Sequence, residues 1–92
     1  MAGKQHSPEH RALGRAVLVA RARQALSQDE LGVRSRIHRN YIGAMERGEI
    51  NATFAVLLKL ARGLDMPLSR LIAEAEQLRR DPHFRAVAVK PG

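Results

Sequence analysis

Helix-start signals recur along this chain at short intervals and divide it into short segments. Ser7, Pro8 and Glu9 combine an N-cap hydroxyl, a proline at the first helical position and an acid in the first turn. Ser27 and Glu30 have the spacing of a capping box, in which each side chain binds the backbone N–H of the other residue. Such signals predict helices, and their short spacing predicts several short helices joined by tight connections.

Three further helices follow these two. His38 begins a third helix that stops at Gly48, a residue suited to a left-handed C-terminal position because it lacks Cβ. Thr53 caps a fourth helix, and Pro67 starts a fifth that ends near Arg80. The residues expected on the inward faces are Leu13, Val17, Ala20 and Gln24 in the first helix, Ile42 and Met45 in the third, Phe54, Leu57, Leu60, Ala61 and Leu64 in the fourth, and Leu68, Leu71, Ile72 and Ala75 in the fifth.

Length and composition fit one small domain. The 92 residues predict a compact all-α, five-helix domain over residues 1–80 and a short C-terminal tail or arm over residues 81–92. The absence of cysteine excludes disulfides and thiolate metal sites, and the four histidines show no metal-ligand spacing, so no metal or cofactor is expected. The longest apolar runs are too short to cross a bilayer and no secretory signal begins the chain, so a cytoplasmic protein is expected.

The charge points to a polyanionic partner. The net charge is +7, with nine basic and four acidic side chains in residues 1–47 (+5) against seven and five in residues 48–92 (+2). A basic half attracts nucleic acid most often, and an acidic membrane or protein surface less often. On charge alone, a soluble arginine-rich protein without such a partner stays an open alternative.

The second and third helices form a helix-turn-helix pattern. Spacing alone is weak evidence, but "LSQDEL", "IHRNYIGAMERGEIN" and "LLKLARGLDMPLSRLI" follow one another without a gap. Over residues 13–73 the chain resembles the lambda-repressor-like, Xre-type DNA-binding domain, with the helix-turn-helix at about residues 27–47. "HRNYIGAMERGE" is similar to the small controller proteins of restriction–modification systems.

The resemblance implies roles for individual residues. The second helix would lie across the DNA backbone, and the third would enter the major groove with its N-terminal residues at base edges. The positions that match base-reading residues are Arg39, Asn40, Gly43 and Ala44. The positions assigned to phosphate contacts are Gln28, His38, Tyr41, Arg47 and Asn51, although the ring of Tyr41 would serve equally well to cover the helix junction.

Two positions depart from the family pattern and two others keep it. Gly32 stands where the family usually has a small residue such as alanine, and Arg36 stands where it has glycine. Positive φ is common in that turn, so Arg36 carries a steric cost that glycine does not. Arg21 and Glu46 match a partly buried ion pair that ties the first helix to the third, and we assign them to architecture and not to DNA reading.

The resulting expectation is a sequence-specific transcription regulator that binds a roughly palindromic operator in double-stranded DNA as a homodimer. Two alternatives stay open: the antitoxin of a toxin–antitoxin pair, which would add a small protein partner, and a coactivator-like protein-interaction module. No nucleophile stands with a base and an orienting acid, and no glycine-rich phosphate loop is present, so an enzyme is not expected.

The fifth helix is the expected dimer interface, because its apolar stripe is wider than a domain of this size needs to bury. The residues assigned to that interface are Leu68, Leu71, Ile72 and Ala75. Leu18 and Val19 lie off the inward face of the first helix, and the tail segment "FRAVAV" is a candidate to cover them. A tail without a partner is the alternative.

Overall fold

The computed structural model describes residues 7–84, and this part of the chain is helical without any β-strand. One additional helical turn at 82–84 follows the last of the helices. The all-α fold class is therefore confirmed. The helices are α1 (Pro8–Arg23), α2 (Gln28–Ser35), α3 (Arg39–Glu46), α4 (Phe54–Gly63) and α5 (Leu68–Arg80).

Side-chain caps begin the helices where the sequence predicts them. The Ser27 hydroxyl accepts the Glu30 N–H at 3.0 Å, and the Glu30 carboxylate accepts the Ser27 N–H at 2.8 Å, which completes the capping box. The His38 ring nitrogen Nδ1 accepts the Asn40 N–H at 3.0 Å, and Thr53 caps α4 in the same manner. These bonds satisfy backbone donors that have no partner inside a helix.

A residue in the left-handed conformation follows each of the first four helices. The φ angles are 56° at Ala25, 58° at Arg36, 76° at Gly48 and 55° at Asp65. Only Gly48 adopts this region without a steric cost, because a Cβ crowds the backbone there. The chain turns sharply at all four positions, and this keeps the connections short.

The core forms between two sets of helices. α1 packs on α5 and α3, α2 packs on α4 and α3, and α3 thereby contacts both sets. Burial of these apolar faces is the main favourable term for a domain of this size. The buried residues of the cluster are Ala12, Ala16, Val17, Ala20, Leu31, Ile42, Met45, Leu60, Leu64, Leu71 and Ala75.

The inward position predicted for Phe54 is wrong. The Phe54 side chain is 68% exposed, and Gln24, which was also expected to face inward, is exposed just after the end of α1. Phe54 is the first residue of α4, whereas the buried residues Leu60, Ala61 and Gly63 all lie in the second half of that helix, where Gly63 meets α2. Periodicity placed Phe54 on the apolar face of α4, but α4 meets its neighbour only further along.

Two of the four α5 residues assigned to the dimer interface are buried within a single copy of the chain. Leu71 is fully buried and Ala75 is 7% exposed, because α5 packs on α1 along this face. Leu68 and Ile72 are only partly buried. Leu71 and Ala75 therefore stabilise a single copy of the chain and offer no surface to a second one.

Most of the segment expected to cover Leu18 and Val19 lies outside the described residues. Phe84 is the one residue of "FRAVAV" that lies within them, and it packs against the edge of the core. Leu18 and Val19 are both partly buried.

Candidate nucleic-acid interface

The connection between α2 and α3 depends on the two residues that depart from the family pattern. Arg36 adopts the left-handed conformation, and the next residue, Ile37, donates its N–H to the Gly32 carbonyl at 2.9 Å. This bond is characteristic of the Schellman motif, which ends a helix sharply. A Cβ built on Gly32 would lie 2.5 Å from the Ile37 carbonyl oxygen, closer than real Cβ atoms approach. Gly32 is therefore required because the chain after α2 passes too close to this position for a side chain. Arg36 adopts the left-handed conformation despite its steric cost.

The first residues of α3 point away from the protein. Arg39 and Asn40 are both exposed, and the His38 side chain fixes the backbone before them by accepting the Asn40 N–H. The other face of α3 is held in the core by Ile42 and Met45, which are 0% and 2% exposed. The structure thus brings the two long polar side chains together at one end of a firmly anchored helix.

An ion pair joins α1 to α3. Arg21 donates from Nε to Glu46 Oε2 at 2.7 Å and from Nη2 to Glu46 Oε1 at 3.0 Å, and its Nη1 donates to the Leu26 carbonyl at 2.8 Å. The Glu46 side chain is 3% exposed and that of Arg21 is 17% exposed. The hydrogen bond with Glu46 raises the pKa of Arg21 above its usual value. The structure therefore contains the pair that the resemblance implied for these positions.

Gln28 enters the same network. Its amide Nε2 donates to Glu46 Oε1 at 2.9 Å, so Glu46 accepts from α1 and from the first residue of α2 at once. The resemblance implied only a phosphate contact for Gln28. The hydrogen bond from Gln28 to Glu46 could not be predicted from the sequence, because it depends on the distance between α2 and α3.

Arg47 and Asn51 lie just beyond α3, and both are exposed. Arg47 forms a fork with Glu49, from Nε to Oε2 at 3.0 Å and from Nη2 to Oε1 at 3.3 Å. These bonds raise the pKa of Arg47 above its usual value. A planar guanidinium held in this way keeps its charge and has a fixed direction.

Two of the positions matched to base readers differ in accessibility. Ala44 is partly exposed, whereas Gly43 is buried among neighbouring side chains. Tyr41 is also partly buried and packs against the core, and this burial raises the pKa of its hydroxyl. The sequence left open whether this ring covers the helix junction or the hydroxyl contacts a phosphate, and the packing of the ring on the core fits the first role.

Gly14 is an architectural residue that the sequence analysis missed. A Cβ at Gly14 would lie 2.2 Å from the Met45 carbonyl oxygen and 2.7 Å from the Glu46 carbonyl oxygen. Backbone atoms cannot give way as a flexible side chain can, so α1 and α3 cross closely only because this position lacks a side chain. A glycine inside an otherwise helical pattern was the available signal.

Two classes of site receive no support from the described residues. Within 7–84 no group of three or more histidine, cysteine, aspartate or glutamate side chains is arranged to hold a metal ion. Among the same residues, no helix combines the length and apolar character that a membrane crossing requires.

Comparison with known families gives a match over the centre of the chain. Residues 19–71 match the helix-turn-helix family. The control protein C.SmaI of Serratia marcescens is 43% identical over 47 residues, which are 51% of this chain and 56% of that protein. The match thus spans little more than half the length of this curated relative.

Solved structures share the fold over most of its length. The restriction–modification controller protein C.AhdI of Aeromonas hydrophila is 32% identical, with a TM-score of 0.69 over 71% of this chain and 98% of that one. The clp gene regulator ClgR of Corynebacterium glutamicum is 26% identical, with a TM-score of 0.71 over 75% of this chain and 90% of that one.

Proposed function

This chain belongs to the helix-turn-helix family of DNA-binding regulators, and from that premise we propose that it is a sequence-specific transcription regulator of the controller type. The observation that carries this proposal is the exposed pair Arg39 and Asn40 at the start of α3. The two residues lie in the basic half of the chain, on a helix anchored from behind by Arg21 and Glu46. We take residues 1–80 as the binding domain.

We assign base reading to three side chains of α3. Arg39 has the fork of donors that matches guanine O6 and N7, and Asn40 has the donor and acceptor that match adenine N6 and N7. The Ala44 methyl group, one turn further along, suits contact with a thymine methyl. Gly43 is buried and has no side chain, so it is given no base contact of its own.

Phosphate contacts surround these readers on both sides. Gln28 begins α2, His38 immediately precedes α3, and Arg47 and Asn51 follow α3, the helix that carries the readers. Contacts to phosphate fix the protein on the duplex and supply affinity that depends on salt but not on sequence. Tyr41 is given a phosphate contact only through its hydroxyl, since its ring packs on the core.

The protein is proposed to act as a homodimer on a roughly palindromic operator. One copy presents one reading helix, and a single module buries too little surface for strong discrimination. Two copies related by a two-fold axis would place their α3 helices about 34 Å apart, one turn of DNA. Leu68 and Ile72 of α5 supply the partly exposed apolar surface for pairing.

Similarity to controller proteins supports the regulator over the antitoxin and over the coactivator-like module. Family members are regulators and not enzymes, and no catalytic role is proposed. We place the protein in the cytoplasm, where its DNA would be.

Selection of bound duplexes from a random pool tests the proposal directly. The wild-type protein should enrich a palindromic site, and Arg39→Ala and Asn40→Ala should each lose about 1–3 kcal/mol of discrimination at one or two base pairs. Arg39→Lys is the matched control, because it keeps the charge but loses the bidentate fork. It should bind unrelated DNA as the wild type does and lose its preference for guanine. Unchanged selectivity in all three variants would show that α3 is not the reader.

A charge placed on α5 tests the dimer. Ile72→Asp should give a folded monomer with weakened operator binding, whereas Ala73→Asp, at the neighbouring exposed position, should stay dimeric. Sedimentation measures the oligomeric state, and circular dichroism shows that both variants are folded. A dimeric Ile72→Asp variant would move the interface away from α5.

A further inference from the structure

Gly43 lies beneath two side chains that come from different parts of the chain. A Cβ built on Gly43 would lie 3.3 Å from Arg47 Nη1, 3.3 Å from Gln28 Oε1 and 3.5 Å from Gln28 Nε2. The Arg47 guanidinium and the Gln28 amide are therefore no further apart than about twice an ordinary van der Waals contact. Both side chains lie over Gly43, the one position of α3 that has no side chain.

Each of these two side chains is held from behind by a carboxylate. Gln28 Nε2 donates to Glu46 Oε1 at 2.9 Å, and Arg47 donates from Nε and Nη2 to Glu49 at 3.0 and 3.3 Å. The second hydrogen of Gln28 Nε2 and both hydrogens of Arg47 Nη1 are not used by these bonds. Both donor groups lie within 3.5 Å of the position that a Cβ on Gly43 would take, so each is near the same point of α3, and Arg47 is exposed there.

We propose that Gly43 is a positioning residue for the DNA backbone, which lets Gln28 and Arg47 act together as a clamp on a single phosphate. This proposal rests on the proposed function and makes it more specific. A guanidinium and an amide that converge on one anion form two hydrogen bonds to it, and the one from the charged donor is the stronger. Because Glu46 and Glu49 already orient the two groups, little side-chain freedom is lost when a phosphate binds.

Alanine at position 43 separates an effect on the clamp from an effect on the fold. The new methyl group would press on the far ends of two flexible side chains, which have to move by a few tenths of an ångström. Alanine is also a better helix former than glycine, so the fold is expected to keep or gain stability. A loss of DNA binding by a protein that melts no earlier than the wild type would therefore come from the displaced side chains.

The experiment measures the affinity of Gly43→Ala for the selected site and for an unrelated duplex over a range of salt concentrations. Both affinities should fall by the same factor, roughly threefold to tenfold, a part of what one hydrogen bond to a charged group contributes. The slope of log affinity against log salt should decrease by up to about one, the value of a single phosphate contact. Thermal melts accompany each measurement.

A second background shows whether Gly43 acts through the two side chains above it. In the Gln28→Ala, Arg47→Ala double variant, adding Gly43→Ala should change neither affinity by more than about twofold, because the coupled groups are already gone. An equal loss in both backgrounds would overturn the clamp. So would an unchanged affinity of Gly43→Ala, or a changed base preference at constant salt slope. The unrelated duplex keeps this test independent of sequence reading, so a wild-type protein without any selectivity would overturn the proposed function and leave the clamp measurable.

Discussion

Replacing Arg21 with methionine is expected to destabilise the protein more than replacing Glu46 with leucine, although the two residues form one ion pair. Arg21→Met leaves the Glu46 carboxylate 3% exposed in the native geometry, with the Gln28 amide as its remaining donor in the network. An uncompensated charge at such a site costs about 3–5 kcal/mol. For a domain of this size each kcal/mol lowers the melting temperature by roughly 4–8 °C, so a fall of more than about 10 °C is expected.

Glu46→Leu leaves the Arg21 guanidinium without its carboxylate partner, but this cation is more exposed than the Glu46 carboxylate. The Arg21 side chain is 17% exposed and keeps its bond from Nη1 to the Leu26 carbonyl. Its guanidinium is able to turn towards water, so the loss is that of hydrogen bonds to a charged group, about 1–3 kcal/mol. The Arg21→Met, Glu46→Leu double variant contains no unpaired charge and should regain much of the loss.

Urea unfolding followed by circular dichroism gives the free energies of unfolding for the wild type and the three variants. The double-variant cycle then isolates the interaction between the two side chains. Additive losses would refute the reasoning, since they would mean that the residues do not interact. A larger loss for Glu46→Leu than for Arg21→Met would refute the argument from exposure.

Three other substitutions test separate contacts. Gly14→Ala should lower the free energy of unfolding by roughly 1–3 kcal/mol despite its better helix propensity, because the new methyl group meets the carbonyl oxygens of α3; a thermal melt no lower than that of the wild type would contradict this. Ser35→Ala should raise stability by about 1 kcal/mol in urea unfolding, because the Ser35 hydroxyl is buried without a hydrogen-bond partner among the described residues. Glu30→Gln tests the capping box: its bonds to Ser27 lower the pKa of Glu30, so the stability of the wild type relative to this variant should be complete above the ordinary glutamate pKa and disappear as the pH falls through the lowered one.

Local features of this fold were predictable from the sequence because their causes lie within a few residues. The Ser27 capping box and the left-handed Gly48 depend on neighbours along the chain, and the structure has both. Phe54 was expected to face inward but is exposed, whereas Leu71 and Ala75, assigned both to the inward face and to the dimer interface, are buried within one copy. An apolar stripe identifies the apolar face of a helix. It does not show which residues of that face contact a neighbouring helix, which contact a second copy of the chain and which are exposed to solvent.

In the candidate site, too, features with causes nearby in the sequence were predictable and features that depend on packing were not. Exposure of Arg39 and Asn40 followed from the start of α3, whose position the sequence indicated. The Gln28 bond to Glu46 and the burial of Gly43 depend on the distance between two helices that are separate in sequence. That distance is set by contacts such as the one at Gly14, which no periodicity encodes.

The residues that adopt the left-handed conformation after the first four helices are the corners of the fold, and they are positions at which its heat resistance could be increased. Three of them hold a residue other than glycine, at Ala25, Arg36 and Asp65, and each carries a steric cost of roughly 1–2 kcal/mol. Glycine removes that cost but gives the unfolded chain more freedom, which offsets roughly 0.5–1 kcal/mol of the gain. Substitutions intended to raise stability should therefore be made at these corners and not in the packed core. Ala25 and Asp65 lie outside the connection between α2 and α3, so changing these two would strengthen the scaffold without altering the charge beside Arg39.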